Sequence, residues 1–165
     1  MVDLTSHADD RGSVAEVYRE SWLPGGRPVV QANLSVSRPG VLRGLHFHRS
    51  QSDYWIPVAG TAFVGLYDLR QGSPTEGARA ELRIGDDARR ALLIPPGVAH
   101  GFYAESDLRL LYFVDAYYTG QDEFGLAWDD PAVAIDWPSR DPVLSERDST
   151  NPRLQDIAFA PTFQT

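Results

Sequence analysis

The chain has no cysteine and no lysine among its 165 residues, and all fifteen of its basic side chains are arginine. Without cysteine there is no disulfide framework, no thiolate metal site and no thiol nucleophile. Without lysine, Schiff-base chemistry and every role that needs an ammonium side chain drop out. Long apolar runs are missing too: stretches such as Ala91 to Pro96 and Leu110 to Val114 fall far short of the roughly 20 residues a membrane-spanning helix requires. The opening residues Met1 to Asp10 have neither the basic flank nor the apolar stretch of a secretory signal. A soluble, cytoplasmic protein with no membrane partner is expected. The net charge of -8 argues against nucleic acid as a partner, because sequence-independent binding depends on Lys and Arg neutralising phosphates. A small anion can still bind at a local arginine cluster.

Helical periodicity is almost as scarce. From Val29 onward the sequence reads as short β-rich stretches: Val29 to Val36, Val41 to His48, Tyr54 to Val58, Thr61 to Leu69, Arg79 to Ile84, Ala91 to Ile94, Gly101 to Ala104 and Leu108 to Tyr117. Turn signals separate them, among them Arg38-Pro39-Gly40, Ala59-Gly60, Gly72-Ser73-Pro74 and Pro95-Pro96-Gly97. The length suits one domain spanning residues 1–165. Eight strands at this spacing predict an all-β fold, a double-sheet jelly roll or small barrel, with residues 119–165 as an irregular tail wrapped on it. Large side chains alternate along Gly60 to Asp68, as a half-buried wall requires. Reacting groups then fall on the few inward positions that are polar.

Three of the four histidines lie in two short motifs, Gly44-Leu45-His46-Phe47-His48 and Pro95-Pro96-Gly97-Val98-Ala99-His100. Residues two apart on a strand share a face, so His46 and His48 should look into one cavity. Two chemistries compete for this cluster. A neutral imidazole held by a carboxylate can serve as a general base. Alternatively His46, His48, Asp53 and His100, at a spacing that resembles the metal-binding cupin motifs with aspartate for glutamate, can hold one divalent transition metal such as Fe, Mn, Ni or Zn.

Further segments follow in order along the chain: Asp10-Arg11-Gly12, Gln31 to Ser37, Gly40 to Phe47, Asp68-Leu69-Arg70 with Gly72 to Thr75, Ala99-His100-Gly101-Phe102, Trp128-Asp129-Asp130-Pro131 and Leu144 to Asp148. Together they resemble the successive signatures of the dTDP-4-dehydrorhamnose 3,5-epimerase family of the cupin superfamily. The resemblance implies a cupin-type jelly-roll barrel and epimerisation at C3, C5 or both of a dTDP-linked 4-keto-6-deoxysugar, in the biosynthesis of rhamnose or another deoxysugar, without a cofactor. It implies His46 as the base, Asp148 as its carboxylate partner and Tyr112 as the acid. Arg11, Gln31, Asn33, Arg43, His100 and Tyr118 become substrate-binding residues. Arg11's counterpart in the family reaches into a neighbouring subunit of a homodimer that exchanges N-terminal strands. Asp68, Arg70 and Trp137 lie in family motifs but are read as structural.

One segment departs from the family. Within Gln51-Ser52-Asp53-Tyr54-Trp55, Asp53 takes the place of a lysine that faces the ketone oxygen, and His48 stands where the family has glutamine. A carboxylate there would repel an enolate. Arg43, His100 or a tyrosine hydroxyl must then replace the lysine, or a metal must, or the activity is altered. The rival expectations are a metal-dependent cupin isomerase or oxygenase and a non-catalytic sugar-nucleotide binder.

Overall fold

A computed structural model describes residues 1–23, 27–86, 88–158 and 161–162. Two five-stranded antiparallel sheets face each other. The first runs β1 (Val2–Asp3), β9 (Arg90–Ile94), β6 (Asp53–Ala59), β11 (Leu108–Val114), β4 (Gln31–Ser37). The second runs β12 (Phe124–Gly125), β5 (Leu42–Phe47), β10 (Val98–Ala104), β7 (Thr61–Asp68), β8 (Arg79–Gly85). This is the cupin-type double-stranded jelly roll. A separate hairpin pairs β2 (Ser6–Asp9) with β3 (Gly12–Ala15), and the one α-helix among the described residues, α1 (Glu146–Ser149), is a single turn. No helix among them is long and apolar enough to cross a membrane.

The eight strands expected from the sequence correspond to β4 through β11, with shifted ends. The last was expected to reach Tyr117 but stops at Val114. There Asp115 turns aside to accept the Ser52 amide at 2.8 Å and to pair with Arg27. Strand β10 starts three residues earlier than expected, because Val98, Ala99 and His100 continue the ladder on β7. The N-terminal strands had no apolar signal to betray them: β2 and β3 are exposed almost throughout, and β1 is two residues laid on the edge of β9. The tail is less irregular than expected, since β12 extends the second sheet and α1 docks against β5.

Side chains are buried on both faces of both sheets, which explains why few strands show a clean polar alternation. Along β7, Ala62, Val64 and Leu66 point between the sheets, where they meet Trp55, Ile84, Leu92, Phe102 and Leu110. Phe63 and Tyr67 point outward, beneath Leu126, Val133, Ile135 and Trp137 of the tail. Each large apolar side chain so buried contributes on the order of 1.5–3 kcal/mol. Trp137 approaches the β7 backbone so closely that a Cβ on Gly65 would lie 2.8 Å from its ring. Its indole N–H donates to the Trp128 carbonyl at 2.8 Å, in keeping with the structural role expected of it.

Asp68 ends β7 in a closed polar knot. Its carboxylate accepts from Arg70 Nε and Nη2, both at 2.8 Å, and from the hydroxyls of Ser73 and Thr75. Burial alone would push this acid up, but those hydrogen bonds outweigh it and hold the carboxyl well below the usual carboxylate range. Asp68→Ala strands the guanidinium and both hydroxyls, and should lower unfolding stability by about 2–4 kcal/mol. Because the native acid is the stronger one, its contribution is complete above about pH 4 and disappears as pH falls through the folded value. Denaturant titrations at pH 7 and in acid test this. Equal midpoints for wild type and variant at pH 7 would contradict it.

Candidate active site

One end of the space between the sheets is filled by the apolar core, and the other opens as a cavity of about 450 Å³. The strand register lays out its walls. On the first sheet Tyr112 of β11 sits between Asn33 of β4 and Trp55 of β6, and Val114 between Gln31 and Asp53, so these side chains share the inward face. On the second sheet His46 of β5 sits directly across from His100 of β10.

Arg43 lines the cavity with His46, although residues three apart on a regular strand point to opposite faces. A bulge resolves this: four residues of β5, from Arg43 to His46, stand against three of β10, from Phe102 to His100. Gly44 makes it possible. Its φ is +118°, and a Cβ there would lie 2.7 Å from both Gly101 Cα and the His100 carbonyl oxygen. Arg43 Nε then donates to Ser37 Oγ at 3.0 Å.

His46 Nε2 and Asp148 Oδ1 are 2.6 Å apart. Asp148 is buried in α1, whose N-cap Ser145 accepts the Asp148 amide through its hydroxyl. Burial works to raise the Asp148 carboxyl, but the hydrogen bond and charge of His46, with bonds from Ser145 and the Gly44 amide, bring it below its ordinary value. An ionised carboxylate can only accept, so the ring proton sits on Nε2 and the Nδ1 lone pair is left open. Nδ1 lies 3.6 Å from Glu123 Oε1, and Glu123 Oε2 in turn accepts from Arg147 at 2.7 Å.

Tyr112 stands on the opposite wall. Burial, then the charges of Asp53 and Glu123, raise its hydroxyl above the ordinary phenol value despite the opposing Arg43, so it is a protonated donor at neutral pH. Gln31 and Asn33 are joined side chain to side chain at 3.0 Å, and Gln31 Oε1 accepts the Tyr118 amide at the rim. Arg11 is not in this cavity. It lies at the tip of the β2–β3 hairpin, 90% exposed and paired with Asp9.

The departing segment forms its own cluster. Asp53 accepts from Gln51 Nε2 at 2.8 Å and from the Trp55 indole at 3.1 Å. His48 and His100 face it, with Nε2 atoms 3.8 and 3.7 Å from its oxygens. Complete burial, only partly opposed by Asp53, brings His100 down to about 4, so its ring is neutral. Among the described residues the one group able to hold a metal is His48, Asp53 and His100. The expected four-residue set is thereby corrected to three, because His46 has turned its Nε2 to Asp148 instead.

Sequence reasoning brought His46, Asp148, Tyr112, Gln31, Asn33, Arg43, His100 and Tyr118 to the cavity, where the structure gathers all of them. It did not single out Glu123, Arg147 or Gln51. Nothing in their local patterns separates them from surface polar residues, and only the docking of the tail brings the first two to His46.

The family model for dTDP-4-dehydrorhamnose 3,5-epimerase matches residues 1–156. A dTDP-4-dehydrorhamnose 3,5-epimerase of Mycobacterium tuberculosis is 38% identical over 93% of this chain and 81% of its own. A dTDP-4-dehydrorhamnose 3-epimerase of Streptomyces niveus is 40% identical over 96% of this chain and 82% of its own. The crystal structure of a Legionella pneumophila epimerase in complex with dTDP-4-keto-L-rhamnose superposes with a TM-score of 0.91 at 34% identity, covering 99% of this chain and 92% of that one. By sequence and by fold, this chain belongs to the dTDP-4-dehydrorhamnose 3,5-epimerase family.

Proposed function

We propose that the chain is a carbohydrate epimerase that inverts C3 or C5, or both, of a dTDP-4-keto-6-deoxyhexose in rhamnose or other deoxysugar biosynthesis. The observation that carries this reading is the pairing of His46 with Asp148 on one wall of the cavity, with a protonated Tyr112 on the facing wall. A carbon acid beside a ketone is weak, so inversion requires a held base on one face and a donor on the other.

His46 Nδ1 takes the proton from the carbon next to the ketone. The C–H bond breaks and its electron pair passes into the enolate. Tyr112 then returns a proton from the opposite face, the enolate collapses to the ketone, and the cycle closes as the imidazolium gives its proton to solvent and the phenolate takes one from it. Asp148 keeps the ring proton on Nε2 and favours the imidazolium that forms, and Glu123 adds negative charge beside Nδ1. No redox cofactor is needed, because the substrate's own ketone accepts the electron pair.

Gln31, Asn33, Arg43, His100 and Tyr118 are assigned to substrate binding, with Arg43 offering a planar fork to an anionic oxygen. Arg11, turned away from its own cavity, is assigned to the site of a second subunit in a homodimer. A nucleotide-linked substrate suits a cytoplasmic enzyme. The test is to incubate the protein with dTDP-4-keto-6-deoxyglucose and follow the sugar by NMR. A product inverted next to the ketone is expected. Recovery of unchanged sugar from protein that binds it would leave a sugar-nucleotide binder instead.

A further inference from the structure

We propose that His48, Asp53 and His100 form a site for one divalent transition-metal ion, set in the cavity wall apart from the His46–Asp148 pair. His48 Nδ1 lies 2.5 Å from the Asp122 carbonyl and His100 Nδ1 lies 2.9 Å from the Val98 carbonyl. A carbonyl oxygen only accepts, so both rings donate through Nδ1, and in the neutral ring the lone pair then lies on Nε2. Anchoring of one ring N–H on a backbone carbonyl is how proteins orient an imidazole toward a metal.

Both Nε2 atoms turn to the same carboxylate, at 3.8 Å from one Asp53 oxygen and 3.7 Å from the other. The side chains are only 9%, 5% and 5% exposed. One donor reaches each Asp53 oxygen, from Gln51 and from Trp55, and Gln51 Nε2 lies 3.3 Å from His48 Nε2. No donor in the described chain fills the space between the imidazole of His100 and the carboxylate. A cation among these three groups would take the imidazole lone pairs and the carboxylate charge together, which Gln51 and Trp55 meet only in part. The rings are also held from the sides: the Trp55 ring stands edge-on to His100 at 5.2 Å, and the His48 and His100 centroids are 5.6 Å apart.

The three ligand atoms lie within 4.8 Å of one another. On an ion with bonds of about 2.1 Å they would stand roughly 3.0–3.5 Å apart, so the most widely separated pair closes by as much as about 1–2 Å on loading. Two imidazoles and one carboxylate suit Zn²⁺, Fe²⁺, Mn²⁺ or Co²⁺, with remaining positions open to the cavity. If the cavity is the epimerase site proposed above, the ion supplies the positive charge next to the enolate oxygen that Asp53 alone cannot, and His100 serves the substrate through the ion.

The test is metal uptake by the untagged full chain, stripped with chelator and titrated with Co²⁺ and Zn²⁺. Cobalt absorption and elemental analysis of the dialysed protein are read against controls of confirmed fold. About one equivalent per chain is expected. Asp53→Asn and His48→Gln should each weaken binding by at least about 100-fold, while His46→Asn binds as wild type does. Stoichiometry far below one, or equal loss in His46→Asn, overturns the site. Uptake is read without substrate. A protein that loads the ion but inverts no sugar therefore contradicts the proposed function alone, and one that inverts sugar without taking up any ion contradicts this inference alone.

Discussion

His46→Asn should lose about 10²–10⁴-fold in turnover while binding dTDP within a few-fold of wild type, the largest kinetic effect expected of any single change in the cavity. The reason lies in the division of labour around the ring. Nε2 is committed to Asp148 at 2.6 Å, and only Nδ1 is left to accept a proton. Asparagine fits the space but offers no base. Asp148→Asn should be nearly as damaging by a different route. Its amide can donate to Nε2, which moves the ring proton to Nδ1, the atom that has to be empty. Calorimetric binding of dTDP alongside steady-state turnover separates these effects from misfolding. Either variant keeping most of its turnover would remove the His46–Asp148 pair from the mechanism.

Tyr112→Phe should separate two events that the wild type couples. The base on the second sheet remains, so the proton next to the ketone is still removed and exchanged with solvent. The donor on the first sheet is gone, so return from the opposite face should slow by about 10²-fold or more. The substrate would then exchange that proton far faster than it inverts. The Tyr112 hydroxyl suits this role because burial and the charges of Asp53 and Glu123 keep it protonated. Proportional loss of exchange and inversion would mean that Tyr112 only shapes the cavity.

These expectations rest on parts of the molecule that were unequally visible in the sequence. Strands β4 to β11 were legible because their apolar residues recur at strand spacing between turn residues, and the shared face of His46 and His48 follows from that period alone. The hairpin at the N-terminus was not, because exposed strands such as β2 and β3 leave no hydrophobic trace. Asp148 stands 102 residues from His46, so only family resemblance could join them. The bulge that brings Arg43 inward is written in Gly44 and Gly101, but their contact appears only once β5 and β10 are paired. The metal-like spacing of four residues was legible and incomplete as a guide: two histidines on one face have taken different partners, His46 with Asp148 and His48 with Asp53.

The central claim is that this cavity removes and returns a proton next to a ketone. It is tested most directly by incubating wild-type protein with dTDP-4-keto-6-deoxyglucose in deuterated water and locating the label by NMR. Deuterium at C3, at C5 or at both, entering with inversion and lost in His46→Asn, is the predicted result. Bound sugar that takes up no deuterium at either carbon, or label that enters equally fast in His46→Asn, would contradict it.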